Sequence, residues 1–319
     1  MKTTHTFQFN FLKITTIVLF LLGCTTQQFF GQQDTQYTQY MYNTSTINPA
    51  YAGSHESITA TLLYRNQWAG IVGAPKTINF TIHSSLDEWR GIGGGLSLIS
   101  DKIGAISQTS ITSDFSYTVR SGEVSELAFG IKAGLDVLSI DNSLLTIYDP
   151  TDLKIIQNLR NRSSPIIGAG VYYYNEEFYV GLSVPNLLTT KIYDDNTAVS
   201  QARKRQNFYL MSGYVFELNA DWFFKPAVLV KAVDGAPVAV DLSANFLYNE
   251  RFTMGAGFRY NAAFSGLVGI QASETLFIGY SYDYDLTDLG TYSNGSHELF
   301  VRFSLGDRRN KRLLIPRFF

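Results

Sequence analysis

Stretches in which apolar and polar residues alternate recur along this chain from about residue 57 to residue 305. In a strand spanning residues 237–248, one face would carry Val238, Val240, Leu242, Ala244, Phe246 and Tyr248. The opposite face would carry Ala239, Asp241, Ser243 and Asn245. Residues 57–68, 127–137 and 275–284 repeat the pattern, and about fourteen such stretches can be counted. The chain is therefore predicted to be all-β, with strands that are apolar on one face and polar on the other.

The lengths of the connections indicate which face points outward. Alternation alone does not, because soluble barrels and sandwiches also alternate, with the apolar face inside. Every second connection is short, at residues 83–90, 121–126, 175–177, 217–221, 249–250 and 273–274. The intervening connections include three long ones, at residues 141–164, 185–204 and 285–296. Short periplasmic turns and longer outside loops are typical of outer-membrane barrels. The prediction is an outer-membrane β-barrel of about fourteen antiparallel strands over residues 57–305, with both chain ends on the periplasmic side.

Composition supports a membrane location. Charged residues make up 16% of the chain, against about 25% in a typical soluble domain. Aromatic residues make up 14%, which suits a sheet with one face in lipid. Beyond the first 31 residues no apolar run approaches the roughly 18 residues of a membrane helix, so insertion has to be as a barrel in contact with outer-membrane lipid.

Residues 1–31 have the pattern of a signal peptide. Lys2 and Lys13 precede an apolar run at residues 14–23, which is too short to span a bilayer. We expect Sec-dependent export and cleavage before Gln32. The alternative is lipidation at Cys24, because residues 21–24 resemble a bacterial lipobox. Cys24 is the only cysteine, so no disulfide framework supports the fold.

Residues 32–56 are polar but unusually rich in tyrosine for a linker. A barrel of about fourteen strands is too wide for its own side chains to fill. We therefore hypothesise that this stretch plugs the lumen, the alternative being that it lies in the periplasm. The residues expected to form the plug are Tyr37, Tyr40, Tyr42, Asn48, Pro49 and Tyr51.

Motifs that carry chemistry are scarce. The glycine run at residues 91–97 lacks the helix of a nucleotide-binding loop and fits strands that pass close to a plug. The carboxylates in residues 283–290 lack the EF-hand spacing of a calcium loop. The histidines His55, His83 and His297 are too scattered to suggest a metal site. No Ser/His pair is apparent. The chain is predicted to be non-enzymatic, without catalytic residues, cofactor, metal or nucleic-acid partner.

The tail, residues 306–319, follows the last predicted strand and is strongly basic. It could be a solvated periplasmic end, a signal for barrel assembly that uses Phe319, or an arm that docks on an acidic periplasmic partner. The basic side chains are Arg308, Arg309, Lys311, Arg312 and Arg317.

Five stretches and the last four residues carry a resemblance to a known family. The sequence resembles the PorP/SprF family of type IX secretion system membrane proteins from Bacteroidetes over nearly the whole mature chain. The stretches are residues 33–54 ("QDTQYTQYMYNTSTINPAYAGS"), 64–77, 168–188, 225–260, 278–305 and the ending "PRFF". The departures are small, namely Thr35 where the family often has proline, Ser293 where a second asparagine is common, and the lipobox-like stretch.

The resemblance implies an outer-membrane barrel that is accessory to type IX secretion and, in the SprF-like branch, to gliding motility. Such proteins help to secrete or anchor a large surface adhesin by its C-terminal region. PorP-like members contact the periplasmic ring and peptidoglycan-binding lipoproteins. A barrel that transports a hydrophobic small molecule is the alternative function.

The two longest outside loops are the candidate contact with such an adhesin, because they carry apolar groups that a solvated loop seldom displays together. Alternatively, these side chains pack the loops over the barrel mouth. They are Tyr148, Ile155, Ile156, Leu187, Leu188 and Tyr193.

Overall fold

Fourteen antiparallel strands form most of the molecule. The computed structural model describes residues 36–55, 57–87, 89–122, 124–144, 159–191, 203–234 and 236–305. The strands are β1 (Ile58–Asn66), β2 (Lys76–Asp87), β3 (Ile92–Ile103), β4 (Ile106–Arg120), β5 (Glu126–Ile140), β6 (Leu159–Tyr174), β7 (Phe178–Val184), β8 (Asn207–Tyr214), β9 (Trp222–Val233), β10 (Ala239–Tyr248), β11 (Phe252–Arg259), β12 (Ala263–Gln271), β13 (Leu276–Asp285) and β14 (Ser296–Leu305).

The sheet closes on itself as an up-and-down barrel. Each strand pairs with its neighbours in sequence, including β7 with β8 and β8 with β9. β1 also pairs with β14 over its whole length, from Ile58 opposite Leu305 to Asn66 opposite His297. Closure leaves no free sheet edge, so every strand has hydrogen-bond partners on both sides.

Small elements complete the described fold. Residues Thr190–Lys191 pair with Arg203–Lys204 in the β7–β8 connection, and Phe216–Glu217 pairs with the start of β9. Short 3₁₀ helices span Tyr40–Tyr42, Pro49–Gly53, Asn142–Leu144 and Asp288–Thr291, and one α-helical turn, α1, spans Thr44–Ile47. None of the helices in the described ranges is long and apolar enough to cross a bilayer.

The barrel is apolar outside and polar inside, the reverse of a soluble barrel. Outward positions expose large apolar side chains, among them Ile58 and Leu62 on β1, Ile111 and Phe115 on β4, and Phe129, Ile131 and Leu135 on β5. Inward positions bury polar ones, among them Thr59, Thr61 and Arg65 on β1, Asn79 and Thr81 on β2, and Thr112, Asp114 and Ser116 on β4. A continuous exposed apolar belt is stable in lipid and not in water.

The two ends of the barrel differ in their connections. At one end the connections run over residues 88–91, 121–125, 175–177, 215–221, 249–251 and 272–275. At the other end they run over residues 67–75, 104–105, 141–158, 185–206, 234–238, 260–262 and 286–295. Only the second end carries long connections, so it is the outer end and the first is the periplasmic end.

Two predicted connections were too long. Strand β2 extends to Asp87 and β6 begins at Leu159, so residues 83–87 and 159–164 belong to strands. Polar side chains lie on the outward face there, so the sequence does not alternate between apolar and polar residues as it does in the other strands. Ser163 lies opposite Val137 of β5, and the Asn161 N–H donates to the Ser139 hydroxyl at 3.1 Å beside an irregularity in the register.

Candidate functional site in the barrel lumen

Residues 36–55, called the lumen segment below, lie inside the barrel. The segment contacts inward-facing residues on strands all around the ring, from β1 and β2 through β6 and β7 to β10, β13 and β14. Its side chains make up much of the largest apolar cluster among the described residues, together with inward-facing Leu63, Tyr172, Tyr179, Phe277 and Phe300. The core of this protein is therefore the contact between the lumen segment and the inner wall.

The Asn48-Pro49 pair turns the segment and ties it to the wall. Asn48 is extended, with φ −128° and ψ 111°, as the residue before a proline prefers. Its Oδ1 accepts a hydrogen bond from the Ala50 N–H at 3.0 Å, which caps the 3₁₀ helix Pro49–Gly53. Its Nδ2 donates to the Val171 carbonyl at 3.0 Å. One side chain thus starts a helix and binds the barrel wall.

Inward-facing glycines let this turn approach the wall. A Cβ on Gly130 of β5 would lie 2.1 Å from the Ala50 nitrogen. A Cβ on Gly93 of β3 would lie 2.1 Å from Gly53 Cα. Only glycine allows such close backbone contact, so Gly93 in the glycine run at residues 91–97 is part of the wall that receives the lumen segment.

An ion-pair network, called the mouth latch below, holds the start of the segment. Arg65 lies 2.7 Å from Asp283 and 3.1 Å from Glu298, and all three side chains are at most 3% exposed. The Glu298 carboxylate also accepts the Thr38 N–H at 3.0 Å and the Gln39 N–H at 2.8 Å. The Thr38 hydroxyl donates to Asp283 at 2.7 Å. A buried guanidinium is thus neutralised by two carboxylates that also hold the segment's backbone.

Tyrosine side chains of the lumen segment also pack against aromatic residues of the inner wall. Tyr42 stacks on Phe277 with ring centroids 5.0 Å apart, and Tyr51 packs edge-on to Tyr172 at 5.5 Å. The Tyr51 hydroxyl lies 2.8 Å from His55 Nε2. A tyrosine hydroxyl is neutral at physiological pH. Each ring can then pack in the interior without adding a charge.

The remaining plug candidates are also buried in the lumen. The Tyr37 hydroxyl accepts from Asn79 Nδ2 at 3.3 Å, and the Tyr40 hydroxyl lies 3.4 Å from Ser243 Oγ. Pro49 is the first residue of its 3₁₀ helix and is buried. The structure therefore brings together all six residues that the sequence marked as a plug.

Further charges on the inner wall are paired in the same way. Lys132 lies 2.7 Å from Asp114, and Arg259 lies 2.5 Å from Asp241. The first pair joins the neighbouring strands β4 and β5, and the second joins the neighbouring strands β10 and β11.

Most of the residues considered as metal ligands in the sequence lie apart from one another in the described structure. Asp283 faces the lumen in the mouth latch, while Asp285 accepts a hydrogen bond from Ser293, so residues 283–290 do not converge on a calcium site. The rings of His55 and His83 do come together, 5.4 Å apart, whereas His297 bonds Tyr280 elsewhere. Within the described residues no group of three or more His, Cys, Asp or Glu side chains could hold a metal.

Most residues of the predicted adhesin contact and the basic tail lie outside the described residues. These are Tyr148, Ile155, Ile156 and Tyr193 in the outer loops, and Arg308, Arg309, Lys311, Arg312 and Arg317 in the tail. Leu187 and Leu188 are described at the outer end of β7. The Leu187 N–H donates to the Ile167 carbonyl at 2.6 Å, and its side chain is 40% exposed. Leu188 is half-buried.

The mouth latch was not predicted from the sequence. Arg65 and Asp283 lie on the polar faces of the alternating stretches at residues 57–68 and 275–284. Glu298 follows the "NGSH" stretch. The available signal for the latch was one charged residue at an inward position near the outer end of each of the three strands. The pairing of β14 with both β1 and β13 brings the three strands side by side.

A closed fourteen-strand barrel with an apolar outer belt, a polar inner wall and an occupied lumen is an integral outer-membrane β-barrel. The chain belongs to the family of type IX secretion system membrane proteins PorP/SprF, whose family model matches residues 29–303. It is therefore an outer-membrane component of type IX secretion. Outer-membrane barrels of this family are a non-enzymatic kind of protein, and the absence of catalysis in this chain stays a prediction.

Solved structures with a similar fold are distant in sequence. A Pseudomonas aeruginosa FadL homologue is 11% identical with a TM-score of 0.48, over 82% of this chain and 94% of that chain. A TodX mutant, described as a monoaromatic hydrocarbon channel, is 9% identical with a TM-score of 0.49, over 83% and 94%. A Rh. blastica porin mutant is 11% identical with a TM-score of 0.34, over 78% and 99%. No curated protein matches the chain. These similarities carry no argument about function.

Proposed function

We propose that this barrel is a non-enzymatic accessory of type IX secretion that helps to secrete or anchor a large cell-surface adhesin by binding its C-terminal region. The adhesin would bind the outer loops at residues 141–158 and 185–206. The basic tail would make a separate contact in the periplasm, with type IX components or a peptidoglycan-binding lipoprotein.

The occupied lumen is the observation that most favours binding over transport. The lumen segment is held near the outer end by the mouth latch. It is also held by the hydrogen bond from Asn48 to the Val171 carbonyl and by tyrosine rings, such as Tyr42 against Phe277. A substrate would have to displace these contacts in order to cross. A barrel whose interior is packed offers its outer surface to partners rather than a path through its centre.

The described part of each long outer loop carries an exposed leucine. Leu144, in the β5–β6 connection, is 63% exposed, and Leu187, in the β7–β8 connection, is 40% exposed. Exposed apolar side chains beyond the membrane belt favour a protein contact.

Deleting the gene should remove one large adhesin from the cell surface while other type IX cargo is still exported. Surface proteomics of the deletion strain identifies the lost protein. The strain carrying Leu144→Asp and Leu187→Asp should then display that protein at a level reduced by about tenfold, because charges replace the apolar contact. Leu218→Asp is the matched control, since Leu218 is 55% exposed but lies in a periplasmic connection.

Other outcomes point to other functions. If all type IX cargo is lost together, the protein is a core component in the PorP-like sense. If adhesin display and gliding are unchanged in the deletion strain, the adhesin proposal is wrong, and transport of a hydrophobic small molecule becomes the better hypothesis.

A further inference from the structure

The lumen segment runs through the barrel from the outer end to the periplasmic end. Thr38 and Gln39 bind Asp283 and Glu298, each of which lies two residues from the outer end of its strand. At the other end of the segment, the His55 carbonyl accepts the Ser85 N–H at 2.9 Å, two residues from the periplasmic end of β2. Between them in sequence, Asn48 contacts β6 at Val171, three residues from the periplasmic end of that strand.

The direction of the segment follows from this order of contacts. Residue number increases from the outer mouth towards the periplasm, and β1 begins at the periplasmic end immediately after the segment. This direction differs from the prediction that both chain ends lie in the periplasm, which implies entry of the chain from the periplasmic side.

We infer that the lumen segment runs inward from the cell-surface side, so that its first residue, Gln36, lies at the outer mouth of the barrel and can be reached from outside the cell. Gln36 is partly exposed at the outer level, whereas Tyr37 beside it is buried. The ring is closed, so no lateral exit exists between strands. A return to the periplasm through the lumen would have to pass the packed rings of Tyr42 and Tyr51.

The mouth latch keeps the chain in this path. Two successive backbone N–H groups, of Thr38 and Gln39, are held by one carboxylate, and the Thr38 hydroxyl by a second. Arg65, between the carboxylates, donates to the same Thr38 hydroxyl at 2.9 Å. Four charge-assisted bonds at the mouth therefore fix the point where the chain emerges.

Cysteine labelling tests the direction of the segment in intact cells. Cys24 is the only cysteine and lies in the predicted signal peptide, so introduced cysteines report alone in a Cys24→Ser background. Gln36→Cys should react with a membrane-impermeant maleimide on intact cells, as should Val72→Cys, because Val72 is fully exposed in the β1–β2 connection. Glu274→Cys, in a periplasmic turn, should react only after the outer membrane is permeabilised.

An epitope tag inserted directly before Gln36 gives a second measurement that does not depend on the reactivity of a half-buried cysteine. Antibody staining of unpermeabilised cells supports the inference. Staining of the tag, or labelling of Gln36→Cys, only after permeabilisation overturns it. The result is independent of adhesin display, so it stands or fails separately from the proposed function.

Discussion

At the scale of single residues, the mouth latch is the most consequential feature of the lumen. Arg65, Asp283 and Glu298 are almost fully buried, and each depends on the others for neutralisation. A buried ion pair adds little net stability compared with an apolar pair, but removing one partner leaves an uncompensated buried charge. The latch therefore makes the position of Thr38 and Gln39 sensitive to a single substitution.

Arg65→Met should destabilise the barrel by about 3 to 5 kcal/mol, because two carboxylates would stay buried without their cation. Arg90→Met is the control, since Arg90 pairs with Asp87 at 3.6 Å on the exposed periplasmic side, where such pairs contribute at most about 1 kcal/mol. Unfolding in detergent, followed by the loss of the fast gel band with rising urea, measures both. Equal midpoints for the two variants would show that the latch does not stabilise the fold.

At the scale of elements, strand glycines and the short helices of the lumen segment fit each other. Gly130 and Gly93 give the backbone of Pro49–Gly53 room to lie against β5 and β3. In the sequence, Gly93 belongs to the glycine run that fits strands passing close to a plug, but no local pattern identifies the residues that Gly93 and Gly130 contact. Their role depends on a segment that is distant in the chain.

Gly130→Ala should loosen the lumen segment, because its methyl group would overlap the Ala50 nitrogen. We expect a cost of about 1 to 3 kcal/mol and faster proteolysis within residues 36–55. Gly257→Ala is the matched control on β11, where the added Cβ would meet its nearest neighbour, Ser265 Cβ, at an ordinary 3.4 Å. Limited proteolysis of the purified proteins compares them, and identical cleavage rates would contradict the close fit.

At the scale of the whole molecule, ring closure determines stability and location. Pairing of β1 with β14 removes the last free edge, and the apolar belt then needs lipid or detergent. Opening the barrel requires many strand hydrogen bonds to break together.

The protein should therefore fractionate with the outer membrane and migrate faster on a gel when it is not boiled, because the closed barrel resists detergent. Boiling the same sample supplies the control. A soluble protein with the same mobility before and after boiling would be inconsistent with a closed transmembrane barrel.

The sequence by itself determined the fold class, the approximate strand positions and the membrane setting. These follow from local patterns, because strand alternation and turn length are properties of neighbouring residues. It also marked Tyr37, Tyr40, Tyr42, Asn48, Pro49 and Tyr51 as candidates for the lumen, since aromatic side chains in a polar stretch need a place to pack.

Only the tertiary structure decided how those residues are held and in which direction the chain runs. Thr38 is separated from Asp283 by 245 positions and Gln39 from Glu298 by 259. No local pattern reports such pairs, because they form only when the ring closes and brings β13, β14 and β1 side by side. The outer-to-periplasmic direction of the lumen segment follows from those contacts, since they place Thr38 at the mouth and His55 at the opposite end.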